Sequence, residues 1–262
     1  QVRAQKNNLG VNYSLDGSGV TIAIIDSGID STHKSFSSAG KIAFSKDFTG
    51  ENRTDDPYGH GTHVAAVAAG LGTPTSGKYE GMASAARLVN LRVLNSNGIG
   101  NVSGTLKALD WILANRLLYN IRVVNMSLGG PALSSYKNDP ICLAVRRLAN
   151  AGIVVVAAAG NNGKLENGAK AYGAIHTPGN EPSAITVGAS NSYGSDPRDE
   201  DSVTTFSSRG PTRSFRTDNN GVKHYDNLIK PDLVAPGNKI ISAQAVNNVL
   251  VKTHPELATN TY

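Results

Sequence analysis

The sequence predicts an α/β protein: three layers, with helices on both faces of a mostly parallel sheet. Two observations carry that expectation. Short, near-continuous apolar runs bounded by turn residues recur along the chain, the pattern of strands covered on both faces. Helix-patterned segments lie between them, and strands alternating with helices build a doubly wound sheet. Size agrees, because 262 residues with 39% apolar content can bury a core without a disulfide or a metal. No linker or internal repeat interrupts the chain, so residues 1–262 read as one domain.

The first strand is read in "VTIAIID", Val20–Asp26. The Ala-rich "HGTHVAAVAAG" follows as a helix, with Gly70 as its expected C-cap. "ARLVNLRVL", Ala86–Leu94, is the second strand. Ser103–Leu118 is a helix, because Leu106, Leu109, Ile112, Leu113 and Leu117 recur near a 3.6-residue period. "RVVNMSL", Arg122–Leu128, is a third strand, and "PICLAVRRLANAG" a helix closed by Gly152. "IVVVAAAG", Ile153–Gly160, and "AITVGAS", Ala184–Ser190, complete the strand set. Beyond Ser190 the chain turns polar and turn-rich, which predicts surface excursions with short strands.

Composition excludes several classes. The formal charge is +5, but Lys and Arg are scattered with no aromatic-interleaved basic run, so no nucleic-acid partner is expected. No apolar run reaches the 18 or so residues of a membrane span, and no signal peptide is read. The first residue is Gln1 rather than Met, which reads either as a processed start or as an artificially shortened chain. The one cysteine, Cys142, cannot form an internal disulfide and is expected as a small buried hydrophobe on its helix.

Polar residues at the ends of apolar strands carry the chemistry. Asp26 ends the first strand, Asn125 and Ser127 lie near the end of the third, and Asn161 follows the fourth. Each alone reads as a turn or cap residue. Together, with a histidine-led helix between the first two, they read as a site, since such groups are costly to bury unpartnered. His60 and His63 stand three apart on that helix. A zinc pair would be spaced H-x-x-x-H with a glutamate beside the first histidine, and here Gly61 and Thr62 intervene. A dinucleotide site fails too, because the first strand ends in "DSGIDS" rather than G-x-G-x-x-G.

The motifs "TIAIIDSGID", "HGTHVA", "VVNMSLGG", "AAAGNNG", "FSSRGP" and "KPDLVAPG" occur in this order from about Gly19 to Gly237, and the chain thereby resembles the subtilisin-like serine peptidases. The resemblance implies an endopeptidase acting on polypeptides through an Asp–His–Ser mechanism. It implies that Asp26 orients the base and that His60 is the general base, with His63 a supporting neighbour. It gives Asn161 to the oxyanion hole, Ser127, Leu128 and Gly129 to pairing with an extended substrate, and Ala158, Ala159 and Gly160 to the opposite wall of the S1 cleft. No cofactor is implied for the chemistry. A structural calcium, a prodomain and a secreted location are family features the resemblance allows.

The chain also departs from the family. No G-T-S-M-A nucleophile motif occurs before Tyr262, and Ser103, Ser207 and Ser208 match no nucleophile position. The preferred expectation is a chain cut ahead of its serine, with a companion C-terminal fragment supplying it; alternatives are a truncated gene or an unrecorded remainder. A non-catalytic pseudoprotease or peptide-binding fragment is the rival reading. Ser84 stands where the family often has proline. "LGTPTSGKYEG" is not the family's Asn-rich calcium loop, and the acidic stretch Asp196, Asp199, Glu200 and Asp201 reads as solvated rather than metal-binding.

Overall fold

The computed structural model describes residues 4–6, 12–195 and 197–259. In chain order the elements are β1 (Ala4–Lys6), β2 (Asn12–Ser14), β3 (Thr21–Asp26), β4 (Ile42–Asp47), α1 (His60–Ala69), β5 (Arg87–Arg92), α2 (Val102–Asn115) and β6 (Ile121–Met126). Then follow α3 (Pro140–Asn150), β7 (Val154–Ala158), β8 (Ile185–Asn191), β9 (Ser202–Val203), β10 (Phe215–Thr217), β11 (Lys223–Tyr225), β12 (Leu233–Pro236) and α4 (Val249–Thr253). The chain divides into two compact units, Gln1–Val124 with Ile241–Tyr262, and Asn125–Ile240.

In the first unit β5 pairs in parallel with β3 on one side and β4 on the other, with Asp26 opposite Arg92 and Asp47 opposite Arg92. All six residues of β3 are buried. Its even positions, Ile22 and Ile24, pack with Ala65, Ala66 and Ala69 of α1 and with Leu88. Alanines on the facing helix let its backbone come close to the strand. The odd positions, Ala23 and Ile25, are equally buried, so both faces of β3 are covered. Each such isoleucine contributes roughly 1.5–3 kcal/mol by leaving water. β1 and β2 form a separate antiparallel pair.

Two helix ends differ from expectation. Gly70 is the C-cap of α1, but its backbone is extended (φ −64°, ψ 145°) rather than left-handed. Glycine is needed there for space, since a Cβ would sit 2.8 Å from the Ala66 carbonyl oxygen. α2 stops at Asn115, short of Leu118, because the chain turns through Asn120 (φ 49°) to enter β6. Leu117 and Leu118 are therefore exposed rather than part of the apolar stripe.

In the second unit β8 lies between β7 and β12, parallel to both, with β9 antiparallel to β8. α3 packs on β7. Asp139 caps α3 by accepting the Ile141 and Cys142 N–H groups at 2.8 and 3.1 Å, and Gly152 follows the helix at φ 80°. Cys142 is fully buried, its thiol donating to Asn180 Oδ1 at 3.2 Å, and burial pushes that thiol up to about 12. The polar stretch after Ser190 forms the short strands β9, β10 and β11 before β12 returns to β8.

Candidate active site

The first unit brings Asp26 and His60 together. Asp26 is the last residue of β3, and His60 the first of α1. His60 Nδ1 lies 2.7 Å from Asp26 Oδ1, which also accepts the Ser27 N–H at 2.7 Å. Asp26 is buried, and its Oδ2 has no hydrogen-bond partner among the described residues. With Nδ1 donating to the carboxylate, the neutral imidazole presents a lone pair at Nε2, the tautomer a general base needs. Burial alone would pull the imidazole pKa down. The charge of Asp26, its hydrogen bond and the further charge of Asp56 outweigh that and hold His60 above the usual histidine value.

The sequence around His60 explains the contact. A helix start leaves N–H groups unpaired, and Gly59, the N-cap, has no side chain to pair them. Asp56, 2% exposed, does so instead. Its Oδ1 accepts from Gly59 N–H and Ser27 Oγ–H, each at 2.8 Å, and its Oδ2 from Thr62 N–H at 2.8 Å. Ser27 Oγ in turn accepts the Gly61 N–H at 2.9 Å. The negative charge also suits the helix N-terminus. Gly61 permits the close crossing, because a Cβ there would fall 2.2 Å from Gly28 O and 3.1 Å from Asp26 Cβ. Thr62 Oγ1 accepts the Asp30 N–H at 2.9 Å, and the His63 carbonyl accepts the Ser242 hydroxyl at 2.9 Å. Behind them the buried Arg92 donates from Nε to Ser27 O at 3.0 Å and pairs with Asp47 and Glu51.

The second unit holds the remaining residues. Ser127, Leu128 and Gly129 follow β6, and the Asn125 amide donates to Ser127 Oγ at 2.9 Å. Ala158 ends β7; Ala159 is buried, Gly160 turns at φ 104° and Asn161 is exposed. Ser208 pins that turn, donating its N–H to Gly160 O at 2.9 Å and accepting the Asn162 N–H on Oγ at 3.0 Å. Ser207 Oγ accepts the Ala189 N–H at 3.0 Å. Both serines of "FSSRGP" are buried scaffold groups, in keeping with their rejection as nucleophiles.

Reasoning from sequence missed Asp56, Ser27 and Arg92. An acidic residue just ahead of a helix is a start signal, and Asp56 shows it; nothing local marks Ser27 or Arg92. No group of three or more His, Cys, Asp or Glu side chains among the described residues is arranged to hold a metal, and Asp196 lies outside those residues. No described helix is long and apolar enough to cross a membrane.

Comparison with known proteins gives consistent matches. A model described as the subtilase family matches residues 17–262. The serine protease AprX of Bacillus subtilis (strain 168) is 36% identical over 251 residues, spanning 91% of this chain and 51% of the relative. Subtilisin E of the same organism is 39% identical over 176 residues, spanning 67% and 42%. The chain thus spans 51% or less of these relatives. Among solved structures, the S41 psychrophilic protease superposes with a TM-score of 0.67 at 32% identity, covering 87% of this chain and 69% of that one. A cold adapted subtilisin-like serine proteinase gives 0.65 at 29% identity, covering 95% and 74%. These likenesses establish the expected three-layer α/β fold.

Proposed function

The chain belongs to the subtilase family, and from that premise we infer that it carries the aspartate and histidine of a serine endopeptidase whose nucleophile is supplied from outside these 262 residues. The observation that carries this reading is the 2.7 Å contact between buried Asp26 and His60 Nδ1. Asp26 holds the imidazole in one tautomer. His60 Nε2 removes the proton of the serine hydroxyl as its oxygen bonds to the carbonyl carbon of a peptide. The carbonyl electron pair moves to oxygen, and Asn161 donates to that oxyanion. Collapse of the intermediate breaks the C–N bond, and His60 gives its proton to the leaving amine. Water, deprotonated by the same histidine, then releases the acyl group and restores the serine.

The substrate polypeptide lies extended along Ser127, Leu128 and Gly129, with Ala158, Ala159 and Gly160 opposite, adding a strand to exposed backbone. A companion C-terminal fragment carrying the serine, a prodomain and a secreted location belong to this reading. Calcium enters no step of it.

The test uses the complete protein. A fluorophosphonate, which reacts only with an assembled Ser–His pair, labels it, and the protein hydrolyses casein. His60→Ala abolishes labelling and lowers kcat on the order of 10⁶-fold, a magnitude carried over from subtilisin. Absence of labelling and of caseinolysis in the complete protein favours the peptide-binding alternative and refutes the peptidase.

A further inference from the structure

At the amino ends of β4 and β5 the first unit holds a cavity of about 370 Å³. Ser38, Gly40 and Lys41 line it from the chain entering β4, and Ser84, Ala86 and Arg87 from the chain entering β5. From there β5 runs along β3, with Arg87 opposite Thr21 at one end and Arg92 opposite Asp26 at the other. At about 3.3 Å per residue that run is about 17 Å long, so the cavity stands apart from the Asp26–His60 contact.

Two cationic side chains share this cavity. Lys41 is 5% exposed, and its ammonium donates to Ser84 O at 2.6 Å and Ala86 O at 2.7 Å. Both acceptors are neutral carbonyls, and they use two of its three N–H groups. Burial pulls the amine down to about 8 against the charge of Glu80, as expected of a buried cation short of a full counter-charge. Arg87 is exposed; its Nε donates to Gly40 O at 3.2 Å, and its Nη groups meet no acceptor among the described residues. Ser38 and Ser84 add hydroxyls, and no lining side chain is acidic.

We propose that this cavity is a binding site for a small oxyanion, a carboxylate or phosphate group held by the Lys41 ammonium and the Arg87 guanidinium. Hydrogen bonds from these groups to an oxyanion are charge-assisted, the strong kind. The third N–H of Lys41 and the Nη groups of Arg87 supply them, and the serine hydroxyls supply more. Ser84 stands where the family often has proline, so one of those hydroxyls is a departure belonging to this chain. The bound anion ties the segment entering β4 to the segment entering β5. It therefore stabilises the fold by mass action without touching His60.

The experiment follows the melting temperature of the complete protein against sodium phosphate and, separately, sodium succinate, with sodium chloride at matched ionic strength as the reference. Calorimetric titration with the same salts gives Kd. A saturable rise over the chloride reference is expected with at least one of them; phosphate alone assigns the site to phosphate groups, succinate alone to carboxylates. Lys41→Met, which keeps an unbranched stem, and Arg87→Gln each weaken binding about tenfold or more, the size of a lost bond to a charged group. If Lys41→Met folds poorly, Arg87→Gln, a change at an exposed side chain, makes the comparison. No rise over chloride with either salt overturns the proposal. So does a rise that the variants keep in full, because exclusion of such salts from protein surface stabilises any fold. Binding is read without peptidase activity, so a complete protein that fails to label with fluorophosphonate refutes the peptidase reading and leaves this site standing.

Discussion

Asp56 does the work of a cap for a residue that has none to offer. The serine hydroxyl and two N–H groups it binds come from both sides of the Asp26–His60 contact. It also acts on His60 through charge. In the proposed reaction the neutral imidazole is the base, so the acid limb of kcat/KM follows the His60 pKa. Asp26 and Asp56 are the carboxylates that raise it, and removing one charge lowers it. Asp56→Asn therefore moves the acid limb to lower pH, and the lost cap costs about 0.5–2 kcal/mol. The pH profile of fluorophosphonate inactivation checks this; an acid limb that stays in place would show that Asp56 is only scaffold. Asp26 and His60 were legible in the sequence because each sits in a short motif at an element end. Asp56 stands in the same stretch as His60, yet its partner Ser27 lies 29 positions away, and only folding shows the pair.

At the scale of elements, α1 is placed by what its first turn lacks. Helix propensity favours alanine over glycine by about 1 kcal/mol. At position 61 the crossing reverses that sign, because a Cβ would be 2.2 Å from Gly28 O. Gly61→Ala should destabilise by roughly 1–3 kcal/mol, the cost of an overpacked contact, and slow labelling by pushing His60 away from Asp26. Urea denaturation measures the first and inactivation rates the second; a gain in stability would mean the helix start relaxes freely. The strands and long helices were readable because their apolar patterns are continuous. β4 was not, since Ile42–Asp47 is mostly half-buried and ends in Lys46 and Asp47. The end of α2 was misplaced because Leu117 continues the apolar period while the backbone has already turned.

Across the whole molecule, several carboxylates share a direction. Asp30 and Asp47 resist the upward pull of burial because their side chains accept hydrogen bonds from Thr32 and Thr49, and both titrate below the usual carboxylate range. Asp232 does so against burial through Lys230, and Glu51 through Arg92. A carboxylate whose folded pKa is depressed stabilises the fold above its unfolded value near 4 and loses that contribution as pH falls through the folded value. The carboxylate contribution to stability, and with it the melting temperature, should therefore fall steeply as pH drops below about 4. Thermal melts at pH 3 and pH 7 that coincide would contradict this. The fold class could be read from alternating patterns alone. The gathering of Lys41 and Arg87 around one cavity could not, because it depends on how β4 and β5 pair at their amino ends.

Ser27 has one further consequence, for anyone who would re-engineer this chain. Its N–H serves Asp26, its hydroxyl links Asp56 to Gly61, and its carbonyl holds Arg92. Single-site libraries at positions 27 and 92 would then return few folded clones, because losing either side chain strands several partners at once. Diversity is better spent on exposed positions such as Leu117, Leu118 and Leu133, whose side chains face water.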